Sequence, residues 1–417
     1  MIKRTTTFVE QMDEWVICGL QAGARDFNSL LRKLPGVYPA EVVDSLRRVL
    51  ESRDVSEPAR AILVEAQSVD FASRGWHAAS ALPIPHPLDY DWRFTQQAVE
   101  ELLRNFGGRQ TDLVCLGTPT VFAAAIERFG PERVVLFDRN TTVLSWLASV
   151  SEGARAVEFD VFVDSVPVID SDFVVADPPW YLEHIKAFLW VATKISRVGG
   201  RVLISVPPHG TRPTIAAELE EVFEYAQRLG LVLKQRKDGF LPYETPPFEA
   251  NALRAAGCNM LGTSWRRGTL CIFQRVTNAE LERPQFCCPT VGWLEADLYG
   301  TRFRFRRRDR ARIDFDDPTL ISLLPGDILP SVSRRHRLRE HADVWSSGNR
   351  VFRCYGSHIL HQIVELLSRR TSPDAIPRSL EMPPLARLGA RQVERAALQI
   401  QEVAAVERFE RRFIGRG

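Results

Sequence analysis

The chain is 417 residues long, 45% hydrophobic and 25% charged, with a formal net charge of +2; that length suits two or three globular domains of about 100–200 residues each, and the near-neutral balance selects no polyanionic or membrane partner. No stretch approaches the roughly 18 apolar residues of a membrane helix, and Met1 to Trp15 carries no apolar signal run, so a cytoplasmic location and no membrane partner are expected. Only six of the 54 basic residues are lysines, a chain-wide bias that makes an arginine count by itself a poor sign of polyanion binding.

The seven cysteines include no Cys-x-x-Cys pair. Lacking the recurrent spacings of zinc sites and disulfide frameworks, they read as reduced, mostly buried thiols, and no metal is expected.

Residues 1–80 read as helical. Apolar residues recur at helical spacing from Asp26 to Leu46, interrupted by Leu34-Pro-Gly-Val-Tyr-Pro39. Pro39 suits the first turn of the next helix. Two helices across a tight break fit a winged-helix unit or a plain helical cap equally well. Residues 81–91 hold three prolines in five positions and form the expected linker.

From there strands and helices alternate. Helices are expected over Thr95–Phe106, Pro119–Phe129, Thr141–Val150, Leu182–Ser196 (closed by Gly199-Gly200) and Thr214–Leu229. The strands are Asp112–Leu116, Arg133–Phe137, Ala156–Phe159, Asp172–Ala176, Arg201–Val206, Leu231–Lys237 and Thr269–Arg275. This alternation specifies a parallel α/β sheet over 92–277. Beyond residue 278 it stops. Strands over Val291–Phe305 and Val351–Tyr355, with helices over Ser357–Leu367 and Pro384–Phe413, point to a separate α+β domain, 278–417, that can serve substrate binding.

Four strand ends carry the chemistry. Gly117, followed by Thr118, lets a ligand approach the backbone at a helix start. Asp138, about 20 residues on, is placed to hold both ribose hydroxyls of a nucleoside. Asp160, with Asp164 as its rival, is placed to accept from an adenine amino group. The fourth is Asp177-Pro178-Pro179-Trp180-Tyr181, leaving a buried apolar strand. The Asp177 carboxylate and the carbonyls in the stiff proline loop can accept hydrogen bonds from an amine and aim its lone pair. Trp180 or Tyr181 offers a face for a planar base.

This set resembles the class I S-adenosylmethionine-dependent methyltransferases of the amino-methylating (Asp/Asn)-Pro-Pro-aromatic group, which includes adenine-N6 nucleic-acid methyltransferases and protein-lysine methyltransferases. The resemblance implies a Rossmann-like sheet. It also implies S-adenosylmethionine contacted by Gly117, Thr118, Asp138 and Asp160, and a target nitrogen held by Asp177 and the Pro178 carbonyl, with Pro179 and Trp180 completing the catalytic segment. The motif lacks a second glycine, which leaves the amino-acid end of the cofactor without an obvious partner. The overall arrangement is also similar to the branched-chain polyamine synthases, which transfer aminopropyl from decarboxylated S-adenosylmethionine. There the acceptor is a polyamine, and an acidic pocket is required.

Tyr243, Glu244 and Glu249, in the loop Leu241 to Glu249, are candidates to receive an amine, with Tyr181 a further substrate contact. His209 is a candidate base, or a hydrogen-bonded loop residue. Arg302 to Arg312 alternates arginine with aromatic residues and is followed by Arg334 to Arg339. Alternation gathers the arginines on one strand face, either a solvated edge or a track for nucleic-acid phosphates. The reading is an N-methyltransferase for adenine N6 or a protein lysine. An aminopropyltransferase and a non-catalytic nucleic-acid-binding protein on the same core are the alternatives.

Overall fold

The computed structural model describes residues 7–52, 57–68, 82–106, 112–259, 264–285, 292–307, 317–380 and 389–414. Four helices open the chain: α1 (Phe8–Gln21), α2 (Phe27–Lys33), α3 (Pro39–Ser52) and α4 (Glu57–Gln67). Reciprocal capping boxes start the first two, Thr7 with Glu10 and Asp26 with Ser29. The described part of this region contains no strand, and residues 69–81 lie outside the described residues. The break between α2 and α3 docks on the α/β unit. Pro35 accepts a hydrogen bond from Gly210 N–H at 2.7 Å. Gly36 has φ +86°, and a Cβ there would stand 2.2 Å from Pro208. Only glycine allows both the left-handed turn and that approach.

After α5 (Gln96–Arg104), capped by Thr95, the alternation proceeds as read: β1 (Leu113–Leu116), α6 (Pro119–Phe129), β2 (Val134–Asp138), α7 (Thr141–Val150), β3 (Arg155–Glu158) and β4 (Ser171–Ala176). Then follow α8 (Leu182–Ile195), β5 (Ser196–Val206), α9 (Ile215–Arg228), β6 (Leu231–Pro242), α10 (Pro247–Ala255) and β7 (Arg267–Arg275). The sheet order is β3-β2-β1-β4-β5-β7-β6, parallel except for β7, which is antiparallel to both neighbours. Apolar side chains cover both faces, one under α8 and α9, the other under α5, α6 and α7. This is the Rossmann-like α/β fold of the class I methyltransferases.

Two readings need correction here. Gly199-Gly200 do not close α8; they lie inside β5, which starts at Ser196. Gly200 is needed there, because a Cβ would stand 2.9–3.2 Å from three carbonyl oxygens of Arg197, Ser171 and Asp172. The end of the loop read from Leu241 to Glu249 is the start of α10, opened by Pro247.

A second, five-stranded sheet follows in the order β10-β12-β11-β9-β8: β8 (Trp293–Leu298), β9 (Thr301–Arg306), β10 (Ile321–Ser322), β11 (Val344–Ser346) and β12 (Val351–Arg353). The helices α11 (Ser357–Ser368), α12 (Ile376–Ser379) and α13 (Ala390–Ile414) accompany it. The single strand expected over 291–305 is a hairpin, turned at Tyr299 and Gly300, both with positive φ. No described helix is long and apolar enough to cross a membrane.

Candidate active site

In register, Leu116 of β1 pairs with Phe137 of β2 and Ala176 of β4. The residues that follow, Gly117, Asp138 and Asp177, therefore emerge side by side at one sheet edge. With Asp160 they line one cavity. Gly117 has φ +65°, and a Cβ there would meet the Phe188 ring at 3.1 Å and the Asp177 carbonyl at 3.4 Å. A side chain at 117 would be strained and would also crowd the floor of the cavity.

Asp138 accepts from Asn140 N–H at 2.8 Å. Burial pushes its pKa up to about 6, against the pull of that bond. Asp160 accepts from Phe162 N–H at 2.8 Å and lines the cavity. Its rival Asp164 is turned to cap the Asp160 N–H at 2.7 Å and is not part of the lining. Thr118 is a correction. Its hydroxyl is buried and turned toward the Val175 carbonyl at 3.5 Å, so its side chain does not reach the cavity.

The proline-rich stretch read as a linker does more than connect. Asp89, Tyr90, Asp91 and Trp92 line the same cavity. Asp91 is clamped by Arg93 at 2.7 Å, both side chains nearly fully buried. Tyr90 takes a left-handed φ of +56°, unusual for a bulky residue and a cost of order 1–3 kcal/mol. In the sequence Asp89 to Asp91 fall within the expected linker, and Trp92 directly follows it. The alternation of acids and aromatics there was the available signal.

A second cavity, of about 540 Å³, adjoins the first and shares Asp177, Pro179, Tyr90 and Trp92 with it. Its walls are strongly aromatic, with Trp180, Tyr181 and Tyr243 from the α/β unit and Tyr38 from α3's approach. Tyr243 donates to Asp177 Oδ1 at 2.6 Å, and Ser205 of β5 lies 2.6 Å from the same phenol oxygen. The phenol gives its one proton to Asp177, so Ser205 donates to the phenol. Burial lifts the Asp177 carboxyl to about 8, while the hydrogen bonds and the Arg266 charge pull it down. Pro179's carbonyl accepts from Tyr181 N–H at 2.6 Å.

Other candidates fall elsewhere. Glu244 lines neither cavity. Glu249 is fully buried, paired with Arg266 at 2.5 Å and accepting from the Trp92 indole at 3.0 Å. Neither is presented to a cationic amine. His209 is exposed, outside both linings, and hydrogen-bonded to Arg236 at 2.7 Å. The arginine face of β9 also needs correction. Arg302 is 3% exposed, ion-paired to Asp89 at 2.9 Å and to Glu295 at 2.6 Å. Arg304 pairs with the same two acids, and Arg306 lies over Trp293 near Asp343. The face points inward because Asp89 and Glu295 meet it, so these three arginines are not a phosphate track. Arg308 to Arg312 lie outside the described residues.

No family model and no curated protein matches the chain. Among solved structures it is similar to the branched-chain polyamine synthase of Thermus thermophilus in complex with N4-aminopropylspermidine and 5'-methylthioadenosine, at 16% identity and a TM-score of 0.49, over 66% of this chain and 90% of that one. It is also similar to a TehB-like SAM-dependent methyltransferase of Corynebacterium glutamicum, at 14% identity and a TM-score of 0.30, over 43% of this chain and 89% of that one. TrmN of Thermus thermophilus matches at 18% identity and a TM-score of 0.29, over 43% of this chain and 48% of that one. At these identities the likeness is one of fold.

Proposed function

We propose that this protein is an S-adenosylmethionine-dependent N-methyltransferase acting on an amino nitrogen carried by a planar, aromatic acceptor, with adenine N6 the leading candidate. The carrying observation is the Asp177 carboxyl, buttressed by Tyr243 and standing where the two cavities meet. S-adenosylmethionine supplies a methyl group on a positively charged sulfur, already a good leaving group. The residues of the first cavity fit it. Gly117 leaves room at the strand end, Asp138 accepts from ribose hydroxyls, and Asp160 accepts from an adenine amino group. Asp91 and Tyr90 line the same cavity and are candidates for the amino-acid end of the cofactor, for which the sequence offered no partner.

On the other side, Asp177 and the Pro178 carbonyl accept hydrogen bonds from the acceptor amine and fix its lone pair toward the first cavity. Trp180, Tyr181 and Trp92 offer faces to a planar ring and exclude water. An exocyclic aromatic amine is neutral, so its surplus proton leaves after transfer and no strong base is required. A polyamine carries several cations and would need as many carboxylates in the second cavity; Glu244 and Glu249 do not line it, and Glu41 and Asp177 are the two acids among its lining residues. The test is incubation of the full chain with methyl-labelled S-adenosylmethionine and, separately, adenine nucleotides, a lysine peptide and spermidine. Label on the adenine compounds is expected. Transfer only to spermidine, and only from the decarboxylated cofactor, would overturn the reading.

Two results should define the cofactor side. Asp138→Ala should weaken S-adenosylmethionine binding at least tenfold in calorimetry, about 1.4 kcal/mol. In the parent protein the carboxylate form is the one that accepts from ribose, and its pKa is about 6. Affinity should therefore be level above pH 7 and fall about tenfold per unit as pH drops below 6. A flat profile in the parent protein between pH 5 and 7 would remove Asp138 from the ribose.

A further inference from the structure

Arginines gather at the mouth of the second cavity. Arg212, in the loop before α9, and Arg335, in the loop before β11, both line it, together with Ser331 and Ser333. Arg212 is held by Glu218, and the Arg335 charge also acts on that glutamate. Arg334 is paired with Glu183 and stacked 3.7 Å over the Tyr181 ring. Arg339, half-buried and stacked 4.4 Å over the Trp345 ring, adds its charge near Tyr181 and Arg334. Among the described residues, the guanidinium groups of Arg212, Arg334 and Arg335 thus stand against two carboxylates, Glu218 and Glu183, at this wall, while Glu41 and Asp177 are the acids that line the cavity itself. Arg335 is exposed and makes no ion pair among the described residues. Ser331 Oγ accepts from Ser333 N–H at 3.1 Å, and Ser333 Oγ from Arg335 N–H at 3.3 Å. Each hydroxyl keeps its own hydrogen to give outward. Surplus cations with hydroxyl donors form the natural complement of a tetrahedral oxyanion.

We propose that the acceptor carries a phosphate ester next to its planar amine-bearing ring, and that Arg335, Arg212, Ser331 and Ser333 hold that phosphate while Trp180 and Tyr181 flank the ring. The assignment rests on the N-methyltransferase reading for the identity of the ring and goes beyond it in naming the anion. The geometry agrees in scale, since about 540 Å³ exceeds what a bare heteroaromatic ring fills and suits a nucleotide unit. Glu41 is the other lining carboxylate besides Asp177 and belongs to the helical wall. The anion-binding side comes from the C-terminal region and the loop after β5, so the C-terminal region has a role in acceptor choice.

Binding can be tested apart from transfer, by calorimetry on the full chain with S-adenosylhomocysteine present. Adenosine 5'-monophosphate should bind about tenfold more tightly than adenosine, and the difference should shrink as salt rises. Arg335→Glu should abolish that difference and Arg335→Ala reduce it; Arg335 is exposed, so either variant is expected to fold. A short single-stranded oligonucleotide binding tenfold or more above the mononucleotide would place the phosphate in a strand. Equal affinities would place it in a free nucleotide. Equal binding of adenosine and its monophosphate, or tighter binding of spermidine than of either, would overturn the proposal. Phosphate-dependent binding without methyl transfer would instead sink the methyltransferase reading and leave the anion site standing.

Discussion

Asp177→Ala is expected to lower the transfer rate about 100-fold, or about 2.7 kcal/mol in the barrier, while S-adenosylmethionine affinity stays within about twofold. The asymmetry follows from position. The carboxyl lies between the two cavities, held from the acceptor side by Tyr243 at 2.6 Å, whereas the proposed ribose and adenine contacts come from β2 and the loop after β3. Asp177→Asn separates acceptor classes. An amide oxygen still accepts from an aromatic amine, so adenine methylation should partly survive. An amide cannot take a proton or stabilise an ammonium, so lysine or polyamine transfer should collapse.

The pH profile provides a second readout of the same group. Burial places the Asp177 pKa near 8. The ionised form is the better acceptor of amine hydrogen bonds, so the rate should climb through pH 7, reach half its plateau near 8 and level off above about 9. Tyr243→Phe removes a bond that favours the carboxylate, so the midpoint should move upward. In Asp177→Asn the climb should vanish. A parent profile with no rise between pH 6 and 8, or an Asp177→Ala variant at full activity, would reduce the Asp-Pro-Pro-Trp segment to a stiff strand exit.

Much of this was legible in the sequence where the determinants are local. A strand, a turn glycine and a helix beginning at Pro119 occupy nearly consecutive positions, and the apolar runs of β1, β2 and β4 end at Gly117, Asp138 and Asp177, which line the cavity. Asp177-Pro-Pro-Trp is one continuous segment. Interactions that close the site are remote and left no local trace. Ser205 sits within an ordinary apolar strand, and only the pairing of β5 beside β7 brings it to Tyr243, 38 residues away. Tyr243, in sequence a candidate to receive an amine, lines the second cavity and directs its hydroxyl to Asp177. Glu249 looked available because its partner Arg266, 17 residues on, reaches it only when the chain folds back after α10. The arginines of β9 were read correctly as sharing a face. Which way that face points depended on Asp89, more than 200 residues earlier in the chain.

That last pairing gives the largest expected effect on stability. Arg302 touches four residues from three separate segments at once. Its guanidinium pairs with Asp89 and with Glu295 of β8, donates to the Ile84 carbonyl at 2.9 Å, and reaches Thr142 Oγ1 of α7 at 3.3 Å. Asn140, whose N–H holds Asp138, donates through its side chain to Asp89 at 3.2 Å. Arg302→Ala removes the centre of this cluster and leaves Asp89 buried with Arg304 as its remaining cation, a loss of about 3–5 kcal/mol. Arg353→Ala, exposed on β12, should stay within about 0.5 kcal/mol. If the cost is that of an orphaned buried charge, replacing Arg302 by Met and Asp89 by Leu together should recover most of the loss, since a well-packed apolar pair carries no desolvation penalty. Denaturant unfolding of the three variants decides this. Because the cluster anchors the Asp138–Thr142 loop, Arg302→Ala should also weaken S-adenosylmethionine binding at a temperature where the variant is folded. A variant with lowered stability but parental cofactor affinity would show that the C-terminal region supports the sheet without positioning the ribose loop.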